Sequence, residues 1–359
     1  MMNYSRDGIF AQMMRDKFAA TAFWILVILY VGVFSAVFIS PYSKDYSDRQ
    51  SAYAPPSKIY IINENGRLCK PYTYNYERSF DENTFQIKYT ENRDKKYSVK
   101  YFAKGYEYKL FGLIPFDRHF INVEDGGKLY LLGTDINGRD NFSRLLFGGQ
   151  ISLTVGFLAL FICFPIGLLY GGISGFLGGK TDFFMMRFAE AVMSIPSFYL
   201  LIILASILPA GMTSVQRFAL IVSILAFIGW ASFARVIRGM VLSIKEQEFV
   251  SAAIVSGASK FRIVTKHILP QTMSYVIVAM TLSIPSYILS ESGLSFLGLG
   301  IQQPDASWGN MLKEAQEFVN ITSRPWLLMP GFLIFIAVLA FNLIGDTIRD
   351  VVDPKSKVR

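Results

Sequence analysis

Histidine and cysteine are almost missing, with two of each in 359 residues. His119 and His267 stand far apart, and neither has a Cys or His neighbour at ligand spacing, so no metal site is expected. Cys69 lies in a polar stretch and Cys163 inside an apolar run, which excludes an intrachain disulfide. A Ser/His/Asp triad needs its members on one side of a membrane, and nothing in the pattern supports that. Neither a catalytic group nor a cofactor is expected. Charge is scarce as well: Asp, Glu, Lys and Arg make up 17% of the chain and hydrophobic residues 52%, whereas soluble domains carry about 25% charged residues. The apolar residues fall in long blocks, the pattern of an integral membrane protein. The formal charge of +8 sits beside those blocks and in one Tyr-rich loop, without any nucleic-acid motif, so nucleic acid is not a partner.

Six blocks are present. After a polar 1–18 segment, Ala19 to Ile39 matches the roughly 20 residues needed to cross hydrocarbon. Phe38-Ile39-Ser40-Pro41 offers no small-residue cleavage site, so this block reads as an uncleaved first span. Residues 41–130 then change character. Between residues 41 and 140 lie 13 of the 19 tyrosines and alternating runs at Thr84–Tyr89, Tyr97–Phe102 and Tyr106–Phe111, which predict separate strands. Asn65-Gly66 and Lys104-Gly105 are the turn candidates. A small, mostly β domain is expected here, with an aromatic and basic surface suited to docking another protein. Residues 131–149 follow; Phe142, Leu145, Leu146 and Gly149 share one helical face and Asp140, Ser143 and Arg144 the other, which predicts a helix lying in the membrane interface.

The second span is expected over Ile151 to about Gly172. Gly167, Gly171, Gly175 and Gly179 recur every fourth residue, a signal for close helix packing. Ser174–Thr181 lacks the first glycine of a phosphate-binding loop and follows a membrane span, so nucleotide binding is not expected. Later spans are expected over Phe188–Pro209 with a kink at Pro196, Phe218–Ala234, Thr272–Leu289 interrupted near Pro285, and Trp326–Ile344. Glu190 and Ser194 are candidates for a translocation path, since an ionisable group in hydrocarbon is costly. Pairing of Glu190 with Arg187 at the membrane edge is the stronger reading.

Between two spans lies a polar island, Gln247–Gln271. Phe249, Ala252, Ala253 and Ser256 fall at helical spacing, Gly257 suits the left-handed stop of a helix, and Ser259 suits the N-cap of a second short amphipathic helix ending before Pro270. Ser251-Ala252-Ala253, Gly257 and His267-Ile268-Leu269-Pro270 resemble the EAA loop of permease subunits in binding-protein-dependent ABC importers. Ser251 stands where the family has Glu, and His267 where it has Ile. Gly133-Thr134-Asp135 with Gly138-Arg139-Asp140, Ser295–Gly300, Ser307-Trp308-Gly309 and the Asn342, Gly345-Asp346, Arg349-Asp350 set resemble the oligopeptide/dipeptide/nickel branch of that family. Residues 41 to about 120 stand outside the resemblance.

The resemblance implies an all-α membrane protein with six transmembrane helices of the type I ABC importer permease fold; the small, mostly β domain between spans 1 and 2 is an insertion that departs from it, since the family has a much shorter loop there. It implies a five-helix core over 150–346 with a cytoplasmic coupling loop at 246–270, in which Ser251, Ala252, Ala253, Gly257, Ala258, Lys260, Leu269 and Pro270 couple to an ATPase. The implied partners are a second homologous permease, two cytoplasmic ATP-binding subunits, an external solute-binding protein and membrane lipid, in a bacterial cell membrane. Arg6, Arg15, Lys180, Arg235, Lys260 and Lys355 crowd one side and Arg217, Lys313 and Arg324 the other, which places both termini, including the 347–359 tail, in the cytoplasm. A self-sufficient secondary transporter or channel is the alternative, and no convincing inverted repeat supports it.

Overall fold

The structure is a computed structural model that describes residues 8–63, 66–82, 86–110, 113–207, 209 and 211–352. Short α1 (Ile9–Met13) leads into α2 (Lys17–Phe34) and α3 (Ala36–Ile39). A meander of four antiparallel strands follows: β1 (Tyr60–Ile62), β2 (Leu68–Asp81), β3 (Gln86–Leu110) and β4 (Ile114–Val123). The rest is helical: α4 (Asn141–Leu177), α5 (Gly179–Met193), α6 (Ser197–Ser206), α7 (Ser214–Ile244), α8 (Glu248–Val255), α9 (Lys260–Arg262), α10 (Met273–Phe296), α11 (Trp308–Leu312), α12 (Phe318–Ser323) and α13 (Met329–Val352). Among the described residues five helices are long and apolar enough to cross a membrane, or six if the bent pair α5 and α6 forms one span. The chain divides into two compact units: Met1–Val27, Leu153–Leu294 and Phe335–Arg359 form the first, Ile28–Ser152 and Ser295–Ile334 the second.

In the first unit the glycine row does what its spacing predicts at three of four positions. A Cβ on Gly167 would stand 2.9 Å from the Trp230 carbonyl oxygen, one on Gly171 2.3 Å from that of Ala234, and one on Gly175 2.9 Å from that of Arg238. The three acceptor carbonyls are also four apart, so α4 lies backbone to backbone against α7. Gly179 differs: it opens α5, and a Cβ there would meet nothing. The same helix pair is tied at one end by a bidentate ion pair from Arg238 to Asp182, whose Oδ1 also accepts from Ser174 Oγ at 2.6 Å. Ser174, at the false phosphate loop, is thus buried in a local polar contact.

Three span expectations are corrected. The block expected over Phe188–Pro209 begins earlier and its kink is a break: α5 begins at Gly179, ends at Met193, and is bent 78° from the next helical segment at Ser194-Ile195-Pro196. α7 runs through Gly239 to Ile244, ten residues past Ala234. Pro285 lies inside α10 without interrupting it.

In the second unit the sheet packs a small core of Val99, Ile121 and Leu129, with Val123 and Leu131 against it. The expected separate strands at 97–102 and 106–111 are one element, β3, and Lys104-Gly105 is no turn. The register instead shifts between Lys104 and Tyr108. Gly105 is there for closeness: a Cβ would lie 2.4 Å from His119 Cδ2 of β4. At the other candidate turn, Gly66 has φ +73° and its N–H donates to the Asn63 carbonyl, while Asn65, like Thr84, Phe85 and Phe111, lies outside the described residues. The expected interfacial helix at 142–149 is no separate element either. It forms the first turns of α4, and Asp140, Ser143 and Arg144 on its polar face are buried.

Candidate coupling loop and translocation cavity

α7 ends at Lys245, and Gln247 adopts an extended conformation that turns the chain into α8. α8 ends by the route its sequence predicts. Gly257 has φ +73°, its N–H donates to the Ile254 carbonyl, and the Ala258 N–H reaches back to Ala253 at 3.2 Å. This satisfies carbonyls that a helix end otherwise leaves open, in a conformation that glycine adopts without a Cβ penalty. Ser259 then caps the next turn, its Oγ accepting from the Arg262 N–H. The second short helix expected here does not stop: α9, a π-helical stretch Ile263–Ile268 and a 3-10 turn Leu269–Thr272 run on into α10 as one 37-residue helix, Lys260–Phe296.

The loop has a buried root and an exposed crown. Val250, Ala253, Ile263, Val264, Ile268 and Leu269 are buried. A Cβ on Gly172 of α4 would press on Leu269 Cδ2 at 2.9 Å and Val264 Cγ1 at 3.1 Å, so the root is seated directly on that helix. The outward side carries apolar residues that water does not favour: Val255 is 88% exposed and Phe261 65%, with Ile254 and Phe249 beside them in sequence. Ser251, Ala252, Gly257, Lys260 and Pro270 are exposed, Ala258 half-buried, and Ala253 and Leu269 belong to the root. Of the four residues at helical spacing, Ala253 is buried and Phe249, Ala252 and Ser256 are exposed. Periodicity did not single out Ile254 and Val255, because apolar residues occur on both faces of this segment, and Phe261, which the helical period puts on one face with Val264 and Ile268, is exposed while those two are buried. That two-sidedness was itself the available signal.

The same unit has a half-open cavity of about 460 Å³ bordered by α4, α6, α7 and α10. Its polar lining is hydroxyls and one thiol: Ser232, Tyr275, Ser283, Ser286, Tyr287, Ser290 and Cys163. Ser232 and Ser283 donate to carbonyls of their own helices, at Gly229 and Ala279, which leaves their oxygens available as acceptors. No charged side chain borders it. Glu190 and Ser194 do not border it. Glu190 lies 2.9 Å from Arg187, and Ser194 Oγ donates to the Ala191 carbonyl. Among the described residues no three His, Cys, Asp or Glu side chains gather as metal ligands.

Residues 164–358 match the family described as binding-protein-dependent transport system inner membrane component, and residues 7–56 match the N-terminal transmembrane domain of oligopeptide transport permease C. The first match covers the cavity lining apart from Cys163, the coupling loop and α13. The chain belongs to this permease family. An oligopeptide transport system permease protein OppC of Haemophilus influenzae is 43% identical over 229 residues, 64% of this chain and 71% of that protein. A dipeptide transport system permease protein DppC of Bacillus subtilis is 44% identical over 225 residues, 62% and 68% of the two chains. An OppC of Bacillus subtilis is 39% identical over 251 residues, 70% and 78%.

In this permease the Gly-Thr-Asp and Gly-Arg-Asp motifs build a buried polar knot in the second unit. Asp135 Oδ2 receives Arg139 Nε at 2.6 Å and faces Arg144 Nε at 3.5 Å, while Oδ1 accepts the N–H groups of Asn137 and Arg139. Gln303 Oε1 accepts from both arginines, Arg144 also donates to the Pro304 carbonyl, and Glu314 lies 3.7 Å from Arg139. Asp140 caps α4 through the Ser143 N–H and hydroxyl. Burial pushes the Asp140 carboxyl up to about 7. Trp308, fully buried, donates its indole N–H to the Leu145 carbonyl. Gln303 and Glu314 were not singled out from the sequence, where nothing links them to residues more than 150 positions earlier.

Proposed function

We propose that this permease forms half of a peptide translocation pathway and takes its energy from cytoplasmic ATP-binding subunits that grip the loop at 246–270. The observation that carries this is the crown of Val255, Ile254 and Phe261, exposed beside Lys260 and Arg262 on a root that is buried and capped at both turns. Exposed apolar side chains on a stiff bend are a docking surface, because water exclusion rewards a groove that covers them. Ser251, Ala252, Gly257, Ala258, Lys260 and Pro270 lie on or beside the crown, and Ala253 and Leu269 transmit its displacement to α7 and α10. Rigid-body motion of the ATPase then tilts the helices around the hydroxyl-lined cavity.

The cavity is our assignment for the path in place of Glu190 and Ser194, since Glu190 is held by Arg187. Hydroxyls without a fixed charge suit the amide groups of a peptide of varied sequence, and the matched relatives are named as oligopeptide and dipeptide permeases. A second homologous permease completes the path, a solute-binding protein delivers the peptide to the Tyr-rich unit, and this chain hydrolyses nothing itself. The Lys and Arg distribution places the loop and both termini in the cytoplasm. Gly257→Val tests the coupling role. Valine at φ +73° is strained, while the space around the residue is open, so the chain is expected to insert normally and to lose peptide uptake. Normal uptake by the mutant would refute it.

A further inference from the structure

The outer face of the β3–β4 hairpin carries large apolar side chains in a pattern that sheet folding does not explain. Directly paired residues share a face, and the register Lys100↔Asn122, Tyr101↔Ile121, Ala103↔His119 and Lys104↔Arg118 sets Phe102 opposite Phe120. His119 and Ile121 point into the core, while Ile114, Phe116, Arg118 and Phe120 are exposed. Phe102 is 57% exposed and Phe120 44%, with ring centroids 6.0 Å apart. Phe102 also has φ +51°, which a phenylalanine rarely adopts. The backbone is thus strained to hold an aromatic ring outward, an arrangement that gains nothing in water.

The position of this face says what covers it. Ala19 to Ile39 is just long enough for hydrocarbon, so Phe38 stands at the boundary where the first span leaves the membrane. The Phe38 ring lies 5.8 Å from Phe102 and 6.2 Å from Phe120. The sheet is pinned to the same helix end by Tyr106, whose hydroxyl donates to the Val37 carbonyl and pairs with Ser40 Oγ. Around the two rings are Lys100, Lys104 and Arg118, the last donating to the Phe102 carbonyl at 3.2 Å. Lys104 also meets Asp117 at 3.6 Å. Aromatic rings ringed by basic groups at the end of a span are the composition of a membrane-interface anchor.

We propose that this face is a lipid-binding surface: Phe102 and Phe120 enter the headgroup and upper acyl region beside the first span, and Lys100, Lys104 and Arg118 meet anionic headgroups. The inserted domain then lies against the bilayer on this side, which leaves its other side for soluble partners. The test is spin-label accessibility in the full-length chain carrying Cys69→Ser, reconstituted into nanodiscs of mixed zwitterionic and anionic phospholipid. Labels are placed at Phe120→Cys, at Tyr101→Cys, whose exposed ring lies 6.1 Å from that of Phe120 although its backbone pairs with Ile121, and at Asp94→Cys, exposed where the register between β2 and β3 shifts.

At 120 or 101 the label is expected to be more accessible to oxygen than to a water-soluble nickel chelate, with the order reversed at 94. Removing the anionic lipid shifts the 120 label toward the chelate. Equal accessibility at 120, 101 and 94 would overturn the proposal. So would a 120 label open to the chelate in nanodiscs and protected only when a solute-binding protein is added, which would assign the face to that protein.

Discussion

Gly171→Ala is the smallest change that tests the α4–α7 contact on which the first unit depends. One methyl group is added, and its carbon would stand 2.3 Å from the Ala234 carbonyl oxygen and 3.0 Å from Ile237 Cβ. Both are fixed by a helix backbone, so the two helices must separate by about 1 Å or the turn must deform. Overpacking of this kind costs about 1–3 kcal/mol. Gly239 on α7 provides the matched control, since a Cβ there would meet nothing within 4 Å. Gly239→Ala should be neutral or should stabilise by up to about 1 kcal/mol through helix propensity. Thermal unfolding of the purified chain in one detergent reads both. The Tm of Gly171→Ala should fall by roughly 5 °C, with Gly239→Ala at or above wild type. Because Gly172 next to it seats Leu269 and Val264, the same variant should also reduce uptake. A Gly171→Ala chain as stable as Gly239→Ala would refute the backbone-to-backbone packing.

Two further outcomes concern the second unit. Asp135→Ala leaves Arg139 and Arg144 buried without their shared carboxylate, a loss of about 3–5 kcal/mol. Limited proteolysis of the region around 41–152 should become faster, and Asp135→Asn should fall between it and wild type. Burial raises the Asp140 carboxyl to about 7 from its ordinary 3.8, and burial with the Asp135 charge raises Glu314 in the same direction. Between those values the folded state holds protons that the unfolded chain has released, so stability must fall as pH rises from about 5 to about 7. Tm measured across that range in wild type should decline, and the double substitution Asp140→Asn, Glu314→Gln should flatten the decline.

What the sequence made legible was what depends on neighbours along one element. The run Ala19–Ile39, the glycines at every fourth position of α4, the Gly257 stop and the Ser259 cap are each decided by local backbone and helical period. The sheet was legible as strands for the same reason. Its long third strand was not, because Gly105 resembles a turn until His119 of another strand is seen against it. The polar face of Asp140, Ser143 and Arg144 resembled an interfacial helix, since Asp135, Gln303 and Glu314, which bury it, come from elsewhere in the chain. Pro285 and the run from Lys260 into α10 misled in the opposite direction. The π-helical stretch Ile263–Ile268 and the 3-10 turn after it carry the helix through Pro270, and α10 continues through Pro285 as regular helix.

Coupling to an ATPase requires that the exposed crown of the loop meet a protein. Val255→Cys, in a chain with Cys69 and Cys163 replaced by serine, is to be treated in native membranes with a short bifunctional thiol-to-amine cross-linker and the product identified by mass spectrometry. The expected product is a covalent adduct with a soluble ATP-binding subunit, at a yield that changes when ATP is added. Lipid-phase labelling of the same cysteine with no protein cross-linked to it would contradict the account, and would make the loop a membrane-surface helix.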